Sequence, residues 1–260
     1  ISMSPQAPLQ IDITEEFPHF PRAAITEAVI EIRARASVQW NEAETLAKLK
    51  PQLTDYPENR SARGFLNQFQ FVLEQEPKVA AQDLGWQGYI FTSTDKKQIA
   101  KFQLELFSFS RLQPYQSWKQ FKSEAMRLWE MHYELARPAE IQRLGVRFIN
   151  RFPVSEDRVL IEEYLKGFPD DLPDLNLTLT GFLHHNTLAV PNHPYAINLI
   201  KTVQNPEAKE LALILDVDVY TQQPFEAKIG LLEHRLAEIR WLKNKTFLGT
   251  ITEKLKERLQ

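Results

Sequence analysis

The chain of 260 residues carries 31 Lys and Arg against 34 Asp and Glu, and its net charge of −3 is that of an ordinary globular protein. The absence of cysteine excludes a disulfide framework, thiolate chemistry and Cys-ligated zinc or iron–sulfur sites. No apolar run approaches the length of a membrane span and no signal-peptide pattern opens the chain, so the sequence predicts a cytoplasmic protein without membrane contact.

Residues 1–21 are predicted to form an extended lead-in, because prolines recur there without a periodic pattern. The first structured half, residues 22–138, opens with a strand that places Ile30 and Ile32 on one face and Glu31 on the other. The further elements predicted in this half are a short helix capped by Asn41, strands at 66–74, 86–94 and 98–109, and a long helix at 114–137.

The second half, residues 139–260, repeats that order. Its opening strand at 140–152 places Leu144, Val146 and Phe148 on one face and arginines on the other. The further predicted elements are a helix after Ser155, strands at 175–185, 195–203 and 210–220, and a helical region from 225 onwards that is interrupted around 243–246. Two tandem β-α-β-β-β-α halves predict an α+β fold with internal duplication, in which a joined antiparallel sheet carries long helices on one face of one compact unit.

A polar sheet face is the predicted functional surface, because an antiparallel sheet covered by helices on one side can leave its other side in water. Its candidate residues for binding a ligand or partner are Arg33, Arg35, Arg143, Arg147, Arg151, Asp216 and Asp218. Guanidinium groups two residues apart on a strand can bind a phosphate or a carboxylate through paired hydrogen bonds. The alternative is that these arginines pair with acids of neighbouring strands.

Two of these candidates, Asp216 and Asp218, lie on one side of their predicted strand and resemble half of a hard-cation site in a nuclease. A third acid at a comparable position is not identifiable, and the sequence has no glycine-rich phosphate loop or patterned nucleophile. We therefore predict no catalytic residue, no metal and no cofactor, and the sequence favours a protein that is not an enzyme.

Three short stretches resemble a known family when they are taken together. They are Glu-Ala-Val-Ile-Glu-Ile-Arg at 27–33, Gly-Val-Arg-Phe-Ile-Asn-Arg at 145–151, and Leu-Glu-His at 232–234 leading to Thr-Ile-Thr at 250–252. The chain resembles a sporadically distributed prokaryotic family of uncharacterised proteins of about this length. The resemblance implies no activity, cofactor or catalytic residue. Its patchy distribution implies an accessory gene, for example in a defence or toxin–antitoxin locus.

The leading hypothesis is a non-enzymatic binding or interaction protein that engages a partner through the polar sheet face or the terminal helix. The predicted partner is another protein or a second copy of the chain, contacted through the apolar stripe of residues 229–259 if that stripe is exposed. Three alternatives stay open: a saddle-like sheet that binds nucleic acid, a small-molecule sensor with a pocket between the halves, and a metal-dependent nuclease.

Overall fold

A nine-stranded antiparallel sheet and four α-helices make up the computed structural model, which describes residues 9–70, 78–154, 161–167, 181–204 and 212–260. The large sheet contains β1 (Ile25–Arg33), β2 (Glu58–Gln70), β3 (Lys78–Thr92), β4 (Gln98–Gln103), β5 (Leu106–Leu112), β7 (Arg143–Pro153), β8 (Leu183–Ala189), β9 (Tyr195–Gln204) and β10 (Ala212–Thr221), while β6 (Glu140–Ile141) and β11 (Phe225–Glu226) pair separately. The helices are α1 (Glu42–Leu49), α2 (Trp118–Ala136), α3 (Ile229–Thr250) and α4 (Glu253–Leu259). This confirms the predicted α+β class with an antiparallel sheet.

The opening strands of the two predicted halves pair with each other at the centre of the sheet, in the order β2-β3-β4-β5-β1-β7-β10-β9-β8. On each side of this central pair, the strand nearest the centre is the last in the sequence that its half contributes to this sheet, and the outermost strand is the earliest of those that remain. The prediction of one strand at 98–109 is wrong, because the chain turns at Leu104 and Glu105 and forms β4 and β5. The two sides therefore differ by one strand within the described residues, and internal duplication stays a prediction.

One face of the sheet is packed against α2 and α3. On β1, Ala28, Ile30 and Ile32 are at most 1% exposed. On β7, Val146 and Phe148 are at most 2% exposed. Apolar residues recur along both helices at helical spacing, and the buried stripe of α2 packs against β5 while that of α3 packs against β10 and β7. The opposite side of the sheet, which α2 and α3 do not cover, is called the open face below.

Helix α2 has a side-chain cap at its N-terminus and a residue in the left-handed conformation at its C-terminus. The hydroxyl oxygen of Ser117 accepts a hydrogen bond from the backbone N–H of Gln120, which satisfies one of the unpaired donors of the first turn. At the other end, Arg137 has a φ of 44° in the left-handed region, and Pro138 follows. The helix is therefore shorter at its start than the predicted 114–137.

Helix α3 runs without a break through residues 243–246, so the predicted interruption there is wrong. The break lies instead at Ile251 and Thr252, between α3 and α4. Ile251 forms an isolated bridge with Leu165, and the Thr252 hydroxyl accepts from the N–H of Leu255 to cap α4.

Several predictions fall partly on residues outside the described ranges. They are the lead-in at 1–21, the strand at 66–74, the helix after Ser155, the strand at 175–185 and the start of the strand at 210–220. Within the described residues, 161–163 form a short 3₁₀ turn. No helix in the described part of the chain combines the length and the apolar content needed to cross a membrane.

Candidate functional site

Two arginines on the open face are held by carboxylates of neighbouring strands. Arg147 donates from Nε to Asp216 Oδ1 at 2.9 Å and from Nη2 to Asp216 Oδ2 at 2.5 Å. Arg143 donates to Glu31 Oε1 and to Asp218 Oδ2, both at 2.9 Å. Cross-strand pairing, rather than an unoccupied anion site, therefore describes these two guanidinium groups.

The five predicted arginines do not form one cluster. Because β1 and β7 are antiparallel, Arg33 stands opposite Arg143 at one end of the central pair, and Arg35 lies just beyond that end. Arg147 lies in the middle of β7, whereas Arg151 lies near its far end, opposite Ile214. A continuous positive surface, which the nucleic-acid alternative requires, is thus interrupted by distance as well as by acids.

The two candidate aspartates are also engaged. The Asp216 side chain is 7% exposed beside Arg147, and the hydrogen bond from Arg147 raises the pKa of that guanidinium. Burial raises the pKa of Asp218, and the nearby Arg143 offsets this in part. Among the described residues, no three His, Cys, Asp or Glu side chains come together in a group that could hold a metal ion.

The apolar stripe of the C-terminal helices lies mainly in the core. Leu232, Leu236 and Ile239 are at most 1% exposed, so they cannot present an interface in this fold. Ile229 and Leu231, at the start of α3, are 61% and 41% exposed. A protein partner or self-association through this region stays a prediction, with these two side chains as its visible surface.

A deep cleft of about 1490 Å³ lies on the helix side of the sheet, between the two halves of the chain. Its walls come from the segment 17–24, the start of β1, the loop 113–117 and the start of α2, together with β7, β10, α3 and the end of α4. The cleft thus occupies the place predicted by the small-molecule alternative. We refer to it as the cationic cleft because of the side chains described next.

Positive charge dominates the lining of the cationic cleft. The basic residues that line it are Lys97, Lys119, Arg151, Arg240, Lys243 and His19. None of the lining residues in the described part of the chain is Asp or Glu, although acids outnumber Lys and Arg over the whole sequence. A concave site of one charge sign concentrates ligands of the opposite sign.

Lys243 projects from the buried side of α3 into this cleft. Its Nζ lies 4.0 Å from the centroid of the Phe148 ring, a distance typical of a cation–π contact. It has no hydrogen-bond acceptor or carboxylate partner in the described residues. Burial, together with the charge of Arg240, lowers the pKa of Lys243 to about 7. The residue keeps an intermediate solvent exposure through the cleft, so the amine is enclosed and still reachable.

Two further features add positive potential close to Lys243. Arg240 precedes Lys243 by one helical turn. It also lies close to Tyr115: burial raises the pKa of the Tyr115 phenol, and the charge of Arg240 lowers it in part. The N-terminus of α2, at Ser117 and Trp118, also borders the cleft and carries the partial positive charge of the helix dipole.

Aromatic rings form much of the remaining wall. Tyr115 meets Phe148 edge to face with 5.3 Å between the ring centroids, and Phe20 meets Phe247 at 6.3 Å. Asn150 is 3% exposed on the same side of β7 as Phe148, and its Nδ2 donates to the carbonyl oxygen of Leu215 at 3.1 Å. The cleft therefore combines cations with apolar surface.

The sequence contained two signals of this site that were not interpreted as such. Lys243 continues the spacing of Ile239 and Phe247, so a helix through this region places the lysine on its buried side. Likewise, Asn150 continues the alternation of Val146 and Phe148 on the apolar face of β7. Polar residues at such core positions are frequently functional, whereas the sequence pattern alone predicts a helix break at the lysine.

No protein-family model matches this chain, and no curated protein matches it either. The family resemblance noted from three short stretches therefore stays a prediction. The geometry of the cationic cleft and of the open face carries the functional argument.

Proposed function

We propose that the protein binds a small organic anion in the cationic cleft. The single observation that carries this proposal is the lining of the cleft, in which Arg240 and Lys243 have no carboxylate partner in the described residues and no described lining residue is Asp or Glu. A polar or charged group withdrawn from water without a partner is unfavourable by several kcal/mol, on the order of 2–7 for a neutral polar group and more for an ion. An anionic ligand supplies that partner.

The walls restrict the kind of anion. Ligand pockets in proteins commonly measure roughly 300–1,000 Å³ and are largely apolar with a few polar groups that fix orientation. The cationic cleft is larger, at about 1490 Å³, and its aromatic side chains include Tyr115, Phe148 and Phe247. A carboxylate or phosphate joined to an aromatic or other apolar body matches both parts of this lining.

The predicted location, accessory role and protein partner are part of this proposal. We infer an accessory protein from the family resemblance of the three short stretches, and a cytoplasmic one because the chain has no apolar run of membrane-span length and its lack of cysteine is compatible with a reducing compartment. A protein partner is supported by the exposed Ile229 and Leu231, which suit a contact that reports on the state of the cleft. Binding without turnover is the expected behaviour of such a sensor.

The proposal is tested by thermal shift and isothermal titration with phenyllactate and phenyl phosphate, with 2-phenylethanol as the neutral probe. We expect at least one anion to raise the melting temperature, because a ligand that binds the native state stabilises it. The double variant Arg240→Met/Lys243→Met is expected to weaken that binding by at least about tenfold, which corresponds to about 1.4 kcal/mol.

The matched control is Lys48→Met/Lys50→Met, which removes two exposed positive charges at the end of α1, away from the cleft lining. It is expected to bind like the unaltered protein. Equal weakening by both double variants would reduce the effect to net charge, and binding of 2-phenylethanol as tight as that of phenyllactate would remove the role of the anion.

A further inference from the structure

Two lysines lie on the helix side of this fold, Lys201 buried and Lys243 partly exposed, and their amines have different surroundings. Lys201 is 3% exposed, and its Nζ donates to the carbonyl oxygens of Lys166 at 2.9 Å and of Gly167. Lys243 has the Phe148 ring beside it and Arg240 one turn away, with no acceptor in the described residues. Burial lowers the pKa of both amines, but carbonyl oxygens solvate the Lys201 ammonium ion, whereas at Lys243 the charge of Arg240 adds to the effect of burial.

An uncharged lysine in a cleft is a nucleophile. The lone pair that attacks an electrophilic carbon is present only in the neutral amine, and enzymes obtain it by desolvation or by placing another cation nearby. Both conditions are met here, since burial and the charge of Arg240 together lower the pKa of Lys243 to about 7. The exposed Lys245, two residues on, is held in an ion pair with Glu15 at 2.6 Å instead.

We propose that Lys243 forms a reversible imine with the carbonyl carbon of a 2-oxo acid bound in the cationic cleft, with Arg240 facing the carboxylate. This inference rests on the proposed anion binding and specifies the ligand class. The carboxylate of such an acid gives Arg240 a counter-charge, and its carbonyl carbon is bonded directly to that carboxylate, within the same cleft as Lys243. The Phe148 ring then faces the bond that forms.

The step balances without an oxidant or a reductant. The Lys243 nitrogen attacks the carbonyl carbon, a C–N bond forms, and the electron pair of the C=O double bond moves to oxygen. One proton passes from nitrogen to that oxygen, which gives a carbinolamine. After a second proton reaches the oxygen from water in the cleft, the C–O bond breaks, water leaves and the nitrogen lone pair completes the C=N bond. The protonated imine is a cation and keeps the favourable contact with the ring of Phe148.

The test is reductive trapping. The full-length protein is incubated with phenylpyruvate and sodium cyanoborohydride at pH 7, and the adduct is located by intact mass measurement and peptide mapping. We expect one adduct per chain, on Lys243, with at least about tenfold more label than on Lys245, because the Lys245 ammonium is held by Glu15 outside the cleft lining and has no bound 2-oxo acid beside it. Label that spreads evenly over exposed lysines would overturn the proposal.

Two variants exclude a merely structural role. Lys243→Arg keeps the positive charge but cannot form an imine, so it should lose the adduct. Lys245→Arg is the neighbouring control and should be labelled on Lys243 as before. If Lys243→Arg is labelled as strongly as the unaltered protein, the assignment of the nucleophile is wrong.

Phenyllactate separates the failure of this inference from the failure of the proposed function. It has the same ring and carboxylate as phenylpyruvate but a hydroxyl group in place of the carbonyl. If phenyllactate raises the melting temperature while phenylpyruvate leaves no adduct, anion binding stands and the imine does not. If neither compound binds or labels, both proposals are overturned.

Discussion

The open face and the cationic cleft are built from the same kinds of residue, and they differ in what those residues meet. On the open face, Arg147 and Arg143 are each bound to carboxylates on adjoining strands. In the cleft, Lys243 lies against the Phe148 ring and feels the charge of Arg240, with no acid among the described lining residues. Basic side chains by themselves therefore do not mark a site. The distinction lies in whether the fold supplies the counter-charge.

The difference follows from the local geometry of strand and helix. A residue on a central strand has one neighbour on each of the two adjoining strands. The arginines of β7 therefore lie beside acidic side chains of β1 on one side and of β10 on the other. Lys243 lies on a helix, and its nearest neighbours along the same face are Arg240 and Phe247. The facing elements bring rings and a helix N-terminus. This arrangement leaves a charge for a ligand to neutralise.

The largest expected effect is on the open face. Arg147→Met leaves the nearly buried Asp216 carboxylate without its partner, and we expect the free energy of unfolding to fall by about 2–3 kcal/mol, which is less than for a fully buried pair because Arg147 is half exposed. Urea denaturation measures this change. The double variant Arg147→Met/Asp216→Asn should recover most of the loss. A double variant as unstable as the single one would contradict the pairing argument.

In the cleft, removal of a basic side chain should increase the free energy of unfolding. Lys243→Met is expected to raise the free energy of unfolding by about 1–2 kcal/mol at pH 7, since it removes an unpaired buried amine. The charged or titratable groups around this amine are Arg240 on the same helix, Tyr115 and Lys119 beside α2, Arg151 on β7, and Lys97 and His19 at the rim. A loss of stability in this variant would place Lys243 among the structural residues.

The pH dependence gives this comparison a second readout. The pKa of Lys243 is about 7 in the folded chain and near its ordinary 10.5 when unfolded, so between these values the unfolded chain binds the extra proton. The stability of the unaltered protein relative to Lys243→Met should therefore rise as the pH increases from 7 to 10.5. Urea melts in cationic buffers at pH 7 and pH 9.5 measure this difference, which would stay constant if the amine had an ordinary pKa.

His132 lies outside the cleft lining and tests whether burial without a hydrogen-bond partner is enough to produce anion binding. It is fully buried in α2 against Trp129 and Trp40, and neither ring nitrogen has a partner in the described residues. Burial lowers its pKa to about 3, so between pH 6.5 and 3 the unfolded chain binds a proton that the folded chain does not. His132→Phe is expected to raise stability by about 1 kcal/mol at pH 7 and to lose less of it on acidification. His132→Phe should leave phenyllactate binding unchanged. A loss of binding in this variant would indicate that the ligand binds at His132.

The smallest effect is expected at the exposed edge of the open face. Arg33 pairs with Glu31 at 2.9 Å, but its side chain is 59% exposed. Arg33→Met should lower the free energy of unfolding by no more than about 0.5 kcal/mol, and this difference should vanish in 1 M salt, where the screening length is about 3 Å. A larger change that persists in salt would mean that Arg33 acts through packing.

Much of the fold could be predicted because its signals are local. Alternation along 140–152 placed Leu144 and Val146 in the core, and the helical spacing of α2 was visible in the sequence. The turn at Leu104 and Glu105 was missed, since the apolar pattern continues across it. The assignment of a break at 243–246 failed for a related reason, because a buried polar residue and a helix end interrupt an apolar stripe in the same way.

By itself, the sequence determined which side chains share a face, because the periods of strand and helix depend on backbone geometry alone. It did not determine that Arg147 meets Asp216, which lies on a separate strand, since that contact depends on strand order and register. The cationic cleft was decided in the same way by the tertiary structure. Its walls come from segments as distant as residues 17–24 and 240–248, and their charges act together only after the chain has folded around the sheet.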